Sequence, residues 1–171
     1  MTDTAAPAGA PAQDPADALL ALIAAIEEQE ERLQLPGFDE DDAWALGSLL
    51  VGLARERSLA VTVDVRRHGH QLFHAALPGT TPDNDTWIER KVRVVDRYSA
   101  SSYLVGRRLA VRGDALGAGH GVDPALYAAH GGAFPLRVRG VGVVGAVTVS
   151  GLPQADDHAL VVEALERFLA R

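Results

Sequence analysis

The pattern of apolar and polar positions predicts two helices in the first third of the chain. Between Asp17 and Gln34, leucines and isoleucines give way to glutamates, which indicates an amphipathic helix that ends before Pro36-Gly37. Acidic residues at positions 39–42 favour the start of a second helix. This second helix places most of its large apolar residues on one side: Trp44, Leu46, Leu49, Leu50 and Leu53.

Two hairpins are predicted from segments in which β-branched residues alternate with polar ones. Leu59–Arg66 alternates in this way, and Gln71–Leu77 returns after a short turn that contains His68 and Gly69. Phe134–Arg139 and Val141–Ser150 form a second such pair. Hairpins join antiparallel strands, so the sheet is expected to be antiparallel.

Helical periodicity returns between and after the hairpins. Residues 83–99 and 101–111 are predicted as helices, followed by a polar, glycine-rich loop over 112–122. The final helix is predicted over 156–169, with Asp156 or Asp157 as its N-cap. The predicted fold is therefore α/β (α+β), with an antiparallel sheet of four to five strands flanked by helices in a profilin/PAS-like three-layer arrangement.

Length and composition indicate one soluble domain in a 171-residue chain. Residues 1–15 are rich in Ala and Pro and are predicted to be a disordered leader, which leaves 16–171 as a single domain. The absence of cysteine excludes disulfides, thiolate zinc sites and a cysteine nucleophile. Neither a signal sequence nor an apolar run long enough for a bilayer is recognisable, so a cytoplasmic protein without membrane contact is expected.

The charge is distributed unevenly along the chain. The net charge of -7 argues against a nucleic-acid-binding surface. The segment from Trp87 to Arg112 nevertheless carries seven basic residues against two acidic ones. A basic segment within an acidic chain provides complementary surfaces, and a homo-oligomer is expected.

Three arginines of this segment are predicted to lie along one helical face. Arg90, Arg93 and Arg97 stand at i, i+3 and i+7, with Lys91 one residue round the helix. Such a row can bind carboxylates or phosphates, or it can be a solvated face or a subunit contact. Trp87 is either a core residue or a platform on which a flat ligand stacks.

Histidines are the strongest nitrogen ligands that the chain offers to a metal or a haem iron. His68 and His70 fall at a hairpin tip, where plain exposure explains them. His74, His130 and His158 are candidate ligands, and the alternative for each is a hydrogen-bonded structural histidine. Before Phe134, Gly131-Gly132 provides either a close approach of the backbone to a ligand or a tight turn into a strand.

Several longer strings make the chain resemble the haem-degrading-domain (GlcG/HbpS-like) family, in a cytoplasmic subfamily of it. The strings are Gln71-Leu72-Phe73-His74, Trp87-Ile88-Glu89-Arg90-Lys91, Ser101-Ser102, His130-Gly131-Gly132-Ala133-Phe134-Pro135, Val147 to Gln154, and Asp156-Asp157-His158. The resemblance covers the chain from about Leu33 onward. It implies homo-oligomers and the binding of haem or another planar anionic tetrapyrrole.

Two functions from different classes follow. The first is a small-molecule binding module for haem or a similar planar anion, with or without haem-degrading activity, and the second is a non-enzymatic oligomeric scaffold or protein-interaction module. No Rossmann, Walker, zinc-protease or G-x-S-x-G signature is present, so the sequence leaves catalysis undecided. The predicted ligand-binding residues are His74, Trp87, Arg90, Lys91, His130, Gly131, Gly132 and Phe134, and the predicted metal ligands are His74, His130 and His158.

Overall fold

A computed structural model describes residues 14–171 of the chain. The leader predicted for residues 1–15 thus lies outside the described residues except for its last two. These two residues begin the first helix: Asp14 is its N-cap and accepts a hydrogen bond of 2.9 Å from the Ala16 amide, and Pro15 is its first residue.

The described residues form five α-helices and four β-strands. The helices are α1 Pro15–Arg32, α2 Glu40–Glu56, α3 Pro82–Tyr98, α4 Ser102–Val111 and α5 Gln154–Leu169. The strands are β1 Thr62–Arg67, β2 His70–Ala76, β3 Ala133–Val138 and β4 Gly142–Ser150. Each agrees with a predicted element to within three residues, and a short 3₁₀ turn, Ala118–His120, lies in the predicted loop.

The sheet is antiparallel throughout, with strand order β2-β1-β4-β3. The two predicted hairpins, β1–β2 and β3–β4, are confirmed. They are joined through β1 and β4, where Asp64 lies opposite Thr148 and Thr62 lies opposite Ser150. This pairing between the hairpins makes the middle and last thirds of the chain neighbours in one sheet.

The helices cover both faces of the sheet, which gives three layers. Val63 and Val65 of β1, and Val61 just before it, point toward α2 and α5 and are fully buried in the main hydrophobic core. On the opposite face, Ile88 and Val95 of α3 pack on the small side chains of Ala133 and Ala146. The three-layer α+β prediction is confirmed.

Two apolar residues have positions that the sequence pattern did not predict. Trp44 is 68% exposed and contacts the Phe73 ring edge-on, with centroids 5.7 Å apart, so its predicted place on the core side of α2 is wrong. It precedes the buried Leu46 by two residues, which turns it about 200° round the helix. Phe134, predicted as a ligand contact, is 1% exposed in the main core.

Among the helices of residues 14–171, none combines the length and the apolar character that crossing a bilayer requires.

Candidate functional site

A cleft of about 290 Å³ opens where α3, the loop before β3 and the turn between β4 and α5 meet. Four of the predicted ligand-binding residues line it, namely Trp87, Lys91, His130 and Gly131. Most of the other lining residues were not recognised as a site from the sequence: Asp83, Asn84, Ser150, Gly151, Leu152, Gln154 and Asp157. The cleft is the candidate functional site.

The floor of the cleft is a buried ion pair. The Lys91 Nζ lies 2.9 Å from Asp157 Oδ2 and donates to the Val149 carbonyl at 3.1 Å, and both charged side chains are less than 5% exposed. Burial lowers the pKa of Lys91 and raises the pKa of Asp157, and the attraction between the two charges opposes both shifts. Asp157 therefore already balances the charge of Lys91, and contact between Lys91 and an anionic ligand stays a prediction.

Asp157 also accepts hydrogen bonds from the turn that precedes α5 and so stabilises that turn. Its Oδ1 accepts a hydrogen bond of 2.9 Å from the Leu152 amide, and the Gly151 amide contacts the same carboxylate. The N-cap of α5 is Pro153, which makes no side-chain cap, so neither Asp156 nor Asp157 has the predicted capping role. Because these two turn amides already have an acceptor, they are not free to bind an external anion.

The glycine pair allows close packing of backbone on backbone. A Cβ on Gly131 would lie 1.9 Å from the Gln154 carbonyl oxygen. Gly132 has φ of +125°, and a Cβ there would lie 2.3 Å from the Val149 carbonyl oxygen and 2.6 Å from the Lys91 Nζ. The tight-turn alternative therefore describes Gly132, while Gly131 has this packing role and also lines the cleft.

His130 stands at the rim of the cleft with an uncommitted imidazole. Its ring meets Trp87 edge-to-face at 5.4 Å, and no hydrogen bond to either ring nitrogen is made by residues 14–171. Partial burial lowers its pKa, and the positive charges of Lys91, Arg90 and Arg107 lower it further. At neutral pH the ring is thus uncharged and has a nitrogen lone pair to offer.

The backbone around His130 is fixed by Ser102, the first residue of α4. Its hydroxyl donates to the His130 carbonyl at 2.5 Å, and the same hydroxyl accepts a hydrogen bond of 3.2 Å from the Ala133 amide. The fully buried Ser102 therefore positions the loop that presents the imidazole. Among the sequence strings, the pair Ser101-Ser102 was the only sign of this role.

Trp87 and Arg90 form a stacked pair beside His130. The Arg90 guanidinium carbon lies 4.5 Å from the Trp87 ring centroid, and the Trp87 Nε1 donates to Asp83 at 3.2 Å. Trp87 is only partly buried: it packs on the protein and keeps a surface at the cleft, and its role as a platform for a flat ligand stays a prediction.

The other two candidate histidines lie elsewhere. His74 places its two ring nitrogens 3.3 Å from Asp64 and 3.2 Å from Asp85. Asp85 and Trp87 are two residues apart on α3, so His74 and His130 lie on opposite sides of that helix. His74 is bound to carboxylates and does not reach the cleft.

His158 is enclosed between the rings of Tyr103 and Phe134, and its Nε2 lies 2.9 Å from Gln29 Oε1. Burial lowers the pKa of His158 to about 4. The three histidines predicted as metal ligands therefore do not converge, and residues 14–171 contain no cluster of three or more His, Asp or Glu side chains arranged to hold a metal ion.

The predicted row of arginines holds the loop that follows α4. Arg90, Arg93 and Arg97 donate to the carbonyls of Pro124, Leu126 and His120 at 3.2, 3.3 and 3.1 Å, respectively. This role was absent from both alternatives in the sequence analysis. The three arginines are in a row because the loop packs along this face of α3. The paired residues are 23 to 34 positions apart in the chain.

Replacing Arg93 and Arg97 together by Ala is expected to speed hydrogen exchange of the loop amides of His120 and Val122 by about five- to tenfold. Each arginine makes a charge-assisted hydrogen bond to the loop. Exposure to solvent reduces the contribution of this bond to the stability of the loop. Exchange mass spectrometry measures this, with Arg139→Ala as a control for lost surface charge. Equal loop exchange in the double variant and the control would contradict the assignment.

Comparison with known sequences places this chain in a family. The model of the HbpS-like haem-degrading proteins matches residues 38–166, and the chain belongs to this family. A UPF0303 protein of Streptomyces avermitilis is 64% identical over 149 residues, which cover 87% of this chain and 91% of the relative. A UPF0303 protein of Rhizobium etli is 52% identical over the same length, covering 87% and 90%.

Solved structures share the fold. The Ybr137w protein superposes with a TM-score of 0.81 at 30% identity, covering 91% of this chain and 94% of that one. A crystal structure of a PduOC–haem complex superposes with a TM-score of 0.65 at 17% identity, covering 76% and 94%. At that identity the second likeness establishes the fold alone.

Proposed function

We propose that the chain is a small-molecule binding module whose cleft takes a planar anionic ligand of the tetrapyrrole class, such as haem. The observation that carries the proposal is that an uncommitted, neutral imidazole, His130, meets the Trp87 ring in this cleft, and that the Arg90 guanidinium stacks on the same Trp87 ring. An imidazole, an aromatic surface and a cation are the groups that recognise a flat anionic macrocycle with a central metal.

His130 is the axial-ligand candidate that the geometry favours among the three predicted histidines. A haem iron needs a nitrogen lone pair that is accessible and free of strong hydrogen bonds. The nitrogens of His74 contact two carboxylates, and the ring of His158 is buried in the interior. The family name and the haem in the PduOC neighbour support haem as the first ligand to test.

Acid–base catalysis requires a free acid and a free base together, and the described residues of this cleft do not supply such a pair. Lys91 and Asp157, which would serve as acid and base, neutralise each other beneath the opening. We therefore propose binding as the function, with any turnover of the ligand arising from the chemistry of the bound group itself.

Replacing His130 by Ala is expected to weaken haem binding at least tenfold and to shift the Soret band, because the iron loses its axial nitrogen. Purified full-length protein is titrated with haem and followed by absorbance, with binding required to saturate at a fixed ratio per subunit. His70→Ala is the matched control, since His70 is exposed at the β1–β2 turn, away from the cleft. His74→Ala and His158→Ala are expected to leave the spectrum of the complex unchanged.

Two results would overturn the proposal. The first is haem absorbance that rises without saturation in the wild type, since haem adheres to many apolar surfaces. The second is a His130→Ala complex with unchanged affinity and spectrum. If His74→Ala or His158→Ala alters the Soret band instead, the axial ligand lies outside the cleft described here.

A specific observation also favours the second function, an oligomeric scaffold that assembles with its own copies. Large apolar side chains remain exposed on the surface, among them Trp44 at 68% and Val141 at 73%. A homo-oligomer would cover such positions. A silent haem titration, together with a mass in light scattering that is a multiple of the 18.1 kDa chain, would favour this function over the first.

A further inference from the structure

A second cleft, of about 350 Å³, lies on the other side of His130 from the first. It is lined by residues of α3, α4 and the loop that the arginine row holds, including Arg90, Arg107, Asp114, Tyr127 and His130. His130 thus lines both clefts, and the Arg90–Trp87 stack stands between them. His130 is therefore shared by two openings whose other lining residues differ in chemistry.

The backbone brings Arg107 to this place through a glycine. A Cβ on Gly106 would lie 2.1 Å from the Ala129 carbonyl oxygen, so only glycine lets α4 approach the segment that precedes His130 so closely. The next residue, Arg107, therefore lies beside that segment. Its guanidinium carbon is 5.2 Å from the centroid of the Tyr103 ring.

The two arginines of the second cleft have no acidic partner among residues 14–171. No carboxylate lies within 4.0 Å of either guanidinium group, although most of the other arginines in the described chain form such pairs. The Nε atoms of Arg90 and Arg107 are buried without a hydrogen-bond partner. Asp114, the acid in this cleft, pairs with His120 instead.

Unpaired buried donors are rare in a folded protein, because each forfeits the hydrogen bonds that it made to water. Two cations that line the same cleft also repel each other, and no carboxylate of this chain, whose net charge is -7, lies between them as a partner among residues 14–171. An oxyanion held by the two guanidinium groups would offset this repulsion. The planar guanidinium group binds carboxylate and phosphate oxygens in pairs.

We propose that Arg107, together with Arg90, forms an anion subsite that holds a carboxylate of the ligand while the ligand's flat part lies against Trp87. The proposal rests on the proposed function for the identity of the ligand, but the subsite itself can be tested without haem. It differs from the predicted arginine row, because Arg93 and Arg97 of α3 bind the loop carbonyls, whereas Arg107 lies on another helix, α4.

The direct test is a titration of the full chain with sodium sulfate at constant ionic strength, followed by the NMR signals of the arginine Nε–Hε groups. Saturable shifts are expected at Arg90 and Arg107. Arg107→Ala is expected to raise the sulfate dissociation constant at least tenfold, while Arg107→Lys keeps the charge and recovers only part of the affinity. Arg112→Ala removes the same charge from the end of α4, outside both clefts, and serves as the control.

The second test compares haem with its dimethyl ester, in which both carboxylates are neutral. The wild type is expected to bind haem at least tenfold more tightly than the ester, and Arg107→Ala is expected to abolish this preference. Equal affinity for the two in the wild type would overturn the subsite and leave the proposed function standing.

If neither porphyrin binds, the proposed function fails and the sulfate titration decides the subsite. Shifts that do not saturate, or an Arg112→Ala variant that weakens sulfate binding as much as Arg107→Ala, would overturn it. Unfolding midpoints of all three variants identify any loss that comes from misfolding.

Discussion

Replacing Lys91 by Ala is expected to lower the free energy of unfolding by about 3–5 kcal/mol, one of the two largest effects predicted for this chain. The substitution leaves the Asp157 carboxylate buried without its cation, and it removes the hydrogen bond that Lys91 makes to the Val149 carbonyl. Asp157 would keep only the turn amides that it already holds. Urea unfolding followed by circular dichroism measures the loss.

Two further variants give this prediction its controls. Arg139→Ala removes an exposed cation from the β3–β4 turn and is expected to change stability by no more than about 0.5 kcal/mol. The double variant Lys91→Met with Asp157→Leu replaces both charges by apolar groups of similar size and is expected to regain much of the lost stability. A Lys91→Ala protein as stable as Arg139→Ala would mean that the pair contributes nothing beyond surface charge.

His158 is expected to make the free energy of unfolding depend on pH between 6.5 and about 4. Over this range its titration makes the free energy of unfolding fall by about 3 kcal/mol in total as the pH is lowered. Burial lowers its pKa from 6.5 to about 4 in the folded state. As the pH falls below 6.5, the unfolded chain binds a proton that the folded chain does not, so the folded state loses about 1.4 kcal/mol per pH unit. Below pH 4 both states are protonated and the dependence ends.

The measurement compares wild type with His158→Gln by urea unfolding at several pH values. Glutamine does not titrate and can still donate to Gln29, which His158 contacts at 2.9 Å. The comparison cancels groups with the opposite tendency, because burial raises the pKa of Glu30 and of Asp157 and their contributions grow in acid. Parallel stability curves for the two proteins would rule out His158 as the source of the acid sensitivity.

The site was only partly predictable, and two of its candidate residues are buried for related reasons. Lys91 lies in the basic segment and has the composition of an anion contact, yet its helix position points it inward toward Asp157, which is 66 positions away. Phe134 follows the glycine pair in the sequence, but strand alternation sends its side chain to the core face of the sheet. The chemistry of a side chain follows from its residue type alone, whereas its access to a cleft depends on how distant segments pack around it.

Arg107 illustrates the opposite error. Arg107 counts among the basic residues of the segment but was given no role, because it and Arg108 are the only charged residues of an otherwise largely apolar helix. The one available signal was the preceding Gly106, an unfavourable residue within a helix that needs a packing reason. That reason is the Ala129 carbonyl, which belongs to a segment more than twenty residues later.

The sequence by itself determined the number, type and order of the helices and strands, the antiparallel hairpins and the family. Those properties arise from periodicity, turn residues and local strings, which act over a few positions at a time. Only the tertiary structure decided that His130 faces a cleft while His74 and His158 do not, that Lys91 is neutralised, and that the arginine row holds a loop. These outcomes depend on which side chains meet after α3, α4 and the two hairpins pack together, and burial and charge pairing between distant segments leave no periodic trace in the sequence.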